Sequence, residues 1–102
     1  MVGRKRKIVW NETAKQFFKE VIIYIRKSSN QNADKVKSGI LKAIRELAGS
    51  PEIYSPDKFK ENNTNHQFRA FEKFSFRVSY FVSANEIRIV RIKHVKQMPK
   101  MY

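Results

Sequence analysis

The sequence predicts an α+β domain of order β-α-α-β-β-β, with a helical hairpin packed on one face of an antiparallel sheet. Two consecutive segments carry apolar residues at three-and-four spacing and are separated by only a few residues, which is the signature of paired amphipathic helices. From Phe76 onward the apolar period changes to two, the period of half-buried strands. At 102 residues the chain has room for one domain, residues 1–102, and no second unit.

The first seven residues form a short arm with Arg4-Lys5-Arg6-Lys7 in sequence, running straight into the apolar Ile8-Val9-Trp10, the first strand. Asn11 is placed to cap a helix over residues 12–27, in which Ala14, Phe17, Phe18, Val21 and Ile25 form one stripe. Its middle is β-branched enough to pass for a strand, so the assignment rests on periodicity over propensity. Ser28-Ser29-Asn30 interrupts the stripe and Asn30 caps again. Ala33, Val36, Ile40, Ile44 and Leu47 then repeat the helical pattern until Gly49 and Pro51 stop it. The short connection makes the two helices an antiparallel hairpin facing one layer.

Residues 50–66 are rich in Asn, Pro, Ser and Lys and read as a loop with Asn62-Asn63-Thr64-Asn65 at its tip. A strand follows over residues 67–73. In the next, Phe76, Val78, Tyr80 and Val82 alternate with Arg77, Ser79 and Phe81, and Ser83-Ala84-Asn85 turns the chain into a last strand over residues 86–93. The hairpin covers one sheet face, and the other is expected to be left free.

Composition removes several function classes. Lys+Arg at 22 against Asp+Glu at 9 gives 22 − 9 = +13, a field that steers the protein toward polyanions or an acidic partner. Hydrophobic residues at 41% and aromatics at 13% are too many for a disordered basic tail. With no cysteine, two histidines and only Asp34 and Asp57 as aspartates, neither a thiol nucleophile nor a metal cluster of usual spacing can be assembled. Gly3, Gly39 and Gly49 never fall at the spacing of a phosphate cradle, so no cofactor is expected. No apolar run reaches the roughly 20 residues of a membrane span or the h-region of a signal peptide. A protein that works in a reducing cytoplasm, without membrane contact, is the expectation.

What remains is basic. Arg69, Arg77, Arg88, Arg91 and Lys93 lie within the strands, and the tail adds His94, Lys96, Lys100 and Tyr102. Period-two parity groups Arg69 with Phe71 and Lys73, Arg77 with Ser79 and Phe81, and Arg91 with Lys93, so that one face can present three arginines. Guanidinium groups bind phosphate bidentately and keep their charge, which suits an RNA backbone or a phosphorane-like transition state. The plainer alternative is a solvated face. His94 could exchange protons near neutral pH, and Tyr102 could stack on a base or donate a proton; the competing readings are a surface histidine and a frayed terminus. On a regular strand His94 falls opposite Arg91, so a shared role requires a bulge or strand end near Lys93.

The arrangement resembles the RelE/ParE toxins of bacterial type II toxin–antitoxin systems. The resemblance is carried by Trp10 with Ala14, Tyr24-Ile25, Ala33, Leu47 with Ser50-Pro51, and the strand signature Phe68-Arg69-Ala70-Phe71, Phe76-Arg77-Val78-Ser79-Tyr80 and Ile89-Val90-Arg91-Ile92-Lys93-His94. RelE-type members resemble ribonucleases that cut messenger RNA on the ribosome, whereas ParE-type members look like inhibitors of DNA gyrase. The first implies a catalytic set of Arg77, Arg91, His94 and Tyr102, with Arg69, Lys73, Lys93, Lys96 and Lys100 on nucleic acid. Phe71 stands where the RelE pattern has a second lysine, and Lys73-Phe74-Ser75 replaces the glycine turn common in ParE proteins. Ribosome-dependent cleavage of messenger RNA is the expected activity, with gyrase inhibition as the alternative and a non-toxic nucleic-acid-binding module as a third reading. The family implies an acidic antitoxin, whose segment would lie along the helical hairpin and the basic sheet face.

Overall fold

A computed structural model describes residues 5–96 and 101–102. Arg4 of the arm and Lys100 of the expected nucleic-acid set lie outside the described residues. The element order is β1 (Lys7–Trp10), α1 (Glu12–Ser28), α2 (Asn30–Leu47), β2 (Phe68–Lys73), β3 (Phe76–Val82) and β4 (Glu86–His94), as the apolar periods predict. One sheet forms in the order β1-β4-β3-β2. β2, β3 and β4 are antiparallel neighbours, but β1 runs parallel to β4, with Ile8 opposite Ile87 and Trp10 opposite Ile89. The sheet is therefore mixed, because the helical hairpin is a crossover that returns the chain to the far edge in the starting direction.

The caps differ in detail from the expectation. Asn11 sits at the start of α1 without a side-chain cap bond; its Oδ1 accepts instead from Arg88 Nη1 at 3.3 Å. Ser29, not Asn30, caps α2, its hydroxyl accepting the Asn32 amide at 3.0 Å. Between the hairpin and the sheet lies the core: Ala33, Ile40, Ile44 and Leu47 from the second helix meet Val78, Tyr80, Ile87 and Ile89 from the sheet, all buried. Phe18 and Trp10 tie the first helix to the β1 edge with ring centroids 5.6 Å apart.

The β2–β3 connection has only Phe74 and Ser75 between paired residues, and both have positive φ, 53° and 68°. That is the backbone of a tight hairpin turn built without glycine, at a cost of order 1 kcal/mol or more per residue. Gly39 on α2 makes room for it, since a Cβ there would overlap the Phe74 ring.

The second sheet face is not free. Residues 55–57 run beside the outer edge of β2, where Asp57 N donates to Phe68 O at 2.8 Å and Ala70 N to Ser55 O at 3.3 Å. The chain then passes over the sheet, and Tyr102 returns onto the same face: its N donates to Phe59 O at 2.9 Å and its O accepts from Glu61 N at 2.6 Å. The loop was read as polar and exposed because its burial is made by residues distant in sequence.

Candidate functional site

The covered face carries most of the residues singled out from the sequence, and a β-bulge decides which. Ser79 pairs with Arg91 but Tyr80 pairs with Ile89, leaving Val90 as the extra residue on β4. Ile87 and Ile89 before the bulge, and Ile92 after it, all point into the core. Arg91 and Lys93 are thereby turned onto the face of Arg77 and Ser79, with Arg77 opposite Lys93. Without the extra residue Arg91 would share the parity of Ile87 and Ile89 and be driven into the core.

The same bulge sends His94 the other way. His94 pairs with core-facing Phe76, meets its ring edge-on at 5.1 Å, and lines an apolar groove with Phe17, Val21 and Tyr24 of α1. Its Nδ1 accepts the Lys96 amide at 3.1 Å. A bulge does exist, as a shared role for His94 and Arg91 required, but it lies before Arg91 rather than after it, and it separates the two.

Arg69 also leaves the group. It pairs with Tyr80, on the helix side, and its Nη1 donates to Tyr54 O at 2.6 Å. Lys73 has the same parity and lies beside Gly39 of α2. One face thus presents two of the three expected arginines. Lys93 and Lys96 are exposed at the end of β4.

Arg77 is 8% exposed. Its Nη2 donates to Asp57 Oδ1 at 2.8 Å, its Nη1 to Glu72 Oε2 at 2.9 Å, and its guanidinium stacks over Phe59 at 4.8 Å. Asp57 is 3% exposed and fully engaged. Besides Arg77 it accepts the Phe59 amide at 3.0 Å and the Tyr102 hydroxyl at 2.6 Å. Burial alone would raise the Asp57 carboxyl, but the hydrogen bonds from Arg77, Tyr102 and Phe59 outweigh it and hold its pKa below the ordinary value. Burial, reinforced by the bond to Asp57, pushes the Tyr102 phenol well above its ordinary range. The Tyr102 ring lies under the Arg91 guanidinium at 3.9 Å and edge-on to Phe68 at 6.4 Å, while Lys60 donates to its carbonyl oxygen at 3.2 Å.

The arrangement can hold a tail and a loop onto the sheet through a satisfied buried ion pair. Electrostatic catalysis needs donors aimed in advance at the place where charge develops, and those of Arg77 are aimed at two carboxylates of its own chain. A neutral Tyr102 could donate a proton, but its proton already lies on Asp57. Among the described residues no group of three or more His, Asp or Glu could hold a metal ion, and no helix is long and apolar enough to cross a membrane.

A family model described as the ParE toxin of type II toxin-antitoxin system, parDE, matches residues 8–99. The chain belongs to the ParE toxin family. It is a toxin of a type II toxin–antitoxin system, and an antitoxin is its implied partner. No match was found among curated proteins. The residue of this ParE-family site that sequence reasoning missed is Asp57, which entered only as one of two aspartates in a metal argument. Its signal was slight: a single carboxylate between Tyr54 and Phe59 in an otherwise basic, polar loop, facing a strand arginine that needed a partner.

Proposed function

We propose that this toxin arrests growth by binding and inhibiting DNA gyrase, and that it does not cleave messenger RNA. The observation that carries the reading is the state of Arg77, buried and neutralised by Asp57 and Glu72, at the centre of the set a ribonuclease would need. Two further observations support it. His94 lies on the opposite side of the sheet from Arg91, and Tyr102 gives its proton to Asp57. For Arg77 to receive a phosphate it would have to abandon a buried carboxylate, and leaving one member of such a pair uncompensated costs about 3–5 kcal/mol. The family match to ParE toxins points the same way. Arg77, Asp57 and Tyr102 are then structural, and the exposed cations Lys93 and Lys96 are left for contact with an acidic antitoxin or the target.

The test is direct. Purified toxin is incubated with gyrase and relaxed plasmid, and in parallel with ribosomes carrying a defined messenger RNA. Loss of supercoiling with intact message is the expected outcome. Message cut within the ribosomal A site, with normal supercoiling, would replace this reading by the ribonuclease one.

A further inference from the structure

Both edges of the sheet could in principle accept another strand, but only one is open. Residues 55–57 pair along the outer edge of β2. At the opposite edge β1 has no neighbouring strand beyond it among the described residues. Lys7 N donates to Asn85 O at 3.0 Å and Asn11 N to Ile89 O at 2.9 Å, so the odd-numbered backbone groups of β1 serve β4. In a parallel ladder the alternate residues, Ile8 and Trp10, direct their N–H and C=O outward. An exposed row of this kind is a template for another chain, and folded proteins ordinarily cover or charge it.

The ground beside that edge is a groove of about 540 Å³ between β1 and the two helices. Its floor is apolar, with Ile8, Trp10, Phe18 and Leu41. Its rim is Lys7, Lys15, Lys19 and Lys37, with Glu12 as the only carboxylate. None of these four lysines forms an ion pair among the described residues, and all four are exposed.

We propose that β1 and this groove receive an extended acidic segment of a partner protein, which adds a fifth strand beside β1. The outward backbone groups alternate donors and acceptors, which matches another peptide backbone and not a phosphate chain, whose oxygens only accept. Alternate side chains of such a strand fall on the apolar floor, and the intervening or flanking carboxylates meet the lysine rim. The proposal deepens the antitoxin reading and rests on its acidic-partner half. It moves the expected contact from the basic sheet face, which the loop and Tyr102 cover, to the β1 edge.

Trp10 is the single tryptophan, so its fluorescence reports this edge directly. The probe is a ten-residue peptide of alternating glutamate and valine, titrated into the full chain at low salt. Saturable change in Trp10 emission is expected, weakened at least about tenfold for the same peptide N-methylated along its backbone, because main-chain hydrogen bonds supply the affinity of strand addition. A comparable loss is expected for the triple variant Lys15→Glu, Lys19→Glu, Lys37→Glu, whose exposed positions leave the fold intact by thermal melting. Absence of saturable binding, equal binding of the N-methylated peptide, undiminished binding to the triple variant, or tighter binding of a twelve-nucleotide RNA at Trp10 would each overturn the proposal. If the cognate acidic antitoxin still co-purified at full strength with the triple variant, the β1 location would fail while the antitoxin reading stood.

Discussion

Two regions of this molecule carry positive charge, and they treat it in opposite ways. On the loop-covered sheet face, Arg77 is locked between Asp57 and Glu72, and Arg91 stacks on Tyr102. Around the β1 groove, Lys7, Lys15, Lys19 and Lys37 stand exposed over an apolar floor. A buried charge must be paired to be tolerated, so the first region's cations serve the fold. An exposed lysine can wait for a partner at little cost to stability, so the second region's cations are available for recognition. Counting charges along the chain weighs the two regions equally; burial separates them.

The largest effect that can break this contrast is removal of the carboxylate beneath Arg77. Asp57→Ala leaves a guanidinium buried with only Glu72, and unfolding by urea should show a loss of about 3–5 kcal/mol. A loss below about 1 kcal/mol would mean that Arg77 is solvated in solution and open to other ligands. Tyr102→Phe removes the hydrogen bond to Asp57 and keeps the ring under Arg91. Since Tyr102 is half-buried, about 1.5 kcal/mol is expected, the low end for a bond to a charged acceptor.

The pH dependence of stability sharpens the same comparison. Asp57 titrates lower in the folded chain than its unfolded value of about 3.9, so its stabilisation is complete above that value and is lost as pH falls through the lower folded pKa. Tyr102 titrates higher folded than its unfolded value of about 10, so its contribution is complete below pH 10 and fades as pH rises beyond it. Thermal melts should show a plateau between those limits. In Asp57→Asn the acid limb should flatten. The smallest effect belongs to the lysine rim, where the triple reversal Lys15→Glu, Lys19→Glu, Lys37→Glu should change unfolding free energy by no more than about 0.5 kcal/mol per site.

Much of this fold was legible because its signals are local. The three-and-four spacing from Ala14 to Ile25 and from Ala33 to Leu47 depends only on neighbours within a turn or two, and both helices formed where it placed them. The alternation of Phe76, Val78 and Tyr80 was equally sufficient for β3. The parallel direction of β1 was not legible, because it is fixed by where the hairpin delivers the chain. The bulge left a trace in the shift of buried isoleucines from Ile87 and Ile89 to Ile92, but Val90 is apolar and masks the change of parity. Arg69 was misplaced for a related reason: face assignments within each strand were right, yet nothing in one strand says which of its faces matches its neighbour's. Asp57 and Tyr102, separated by 45 residues, meet only through the tertiary fold.

The account's central claim is that the Arg77 cluster holds the fold and does no chemistry, and one variant isolates it. Asp57→Asn combined with Arg77→Gln removes both charges while keeping groups that can hydrogen-bond across the same gap, so no uncompensated charge is left behind. The measurement is inhibition of gyrase supercoiling by this double variant, made on protein whose melting shows it folded. Inhibition equal to that of the unaltered toxin is the predicted result. A folded double variant that no longer arrests growth, alongside an unaltered toxin that cuts ribosome-bound message and leaves gyrase active, would contradict the claim and return Arg77 to a catalytic role.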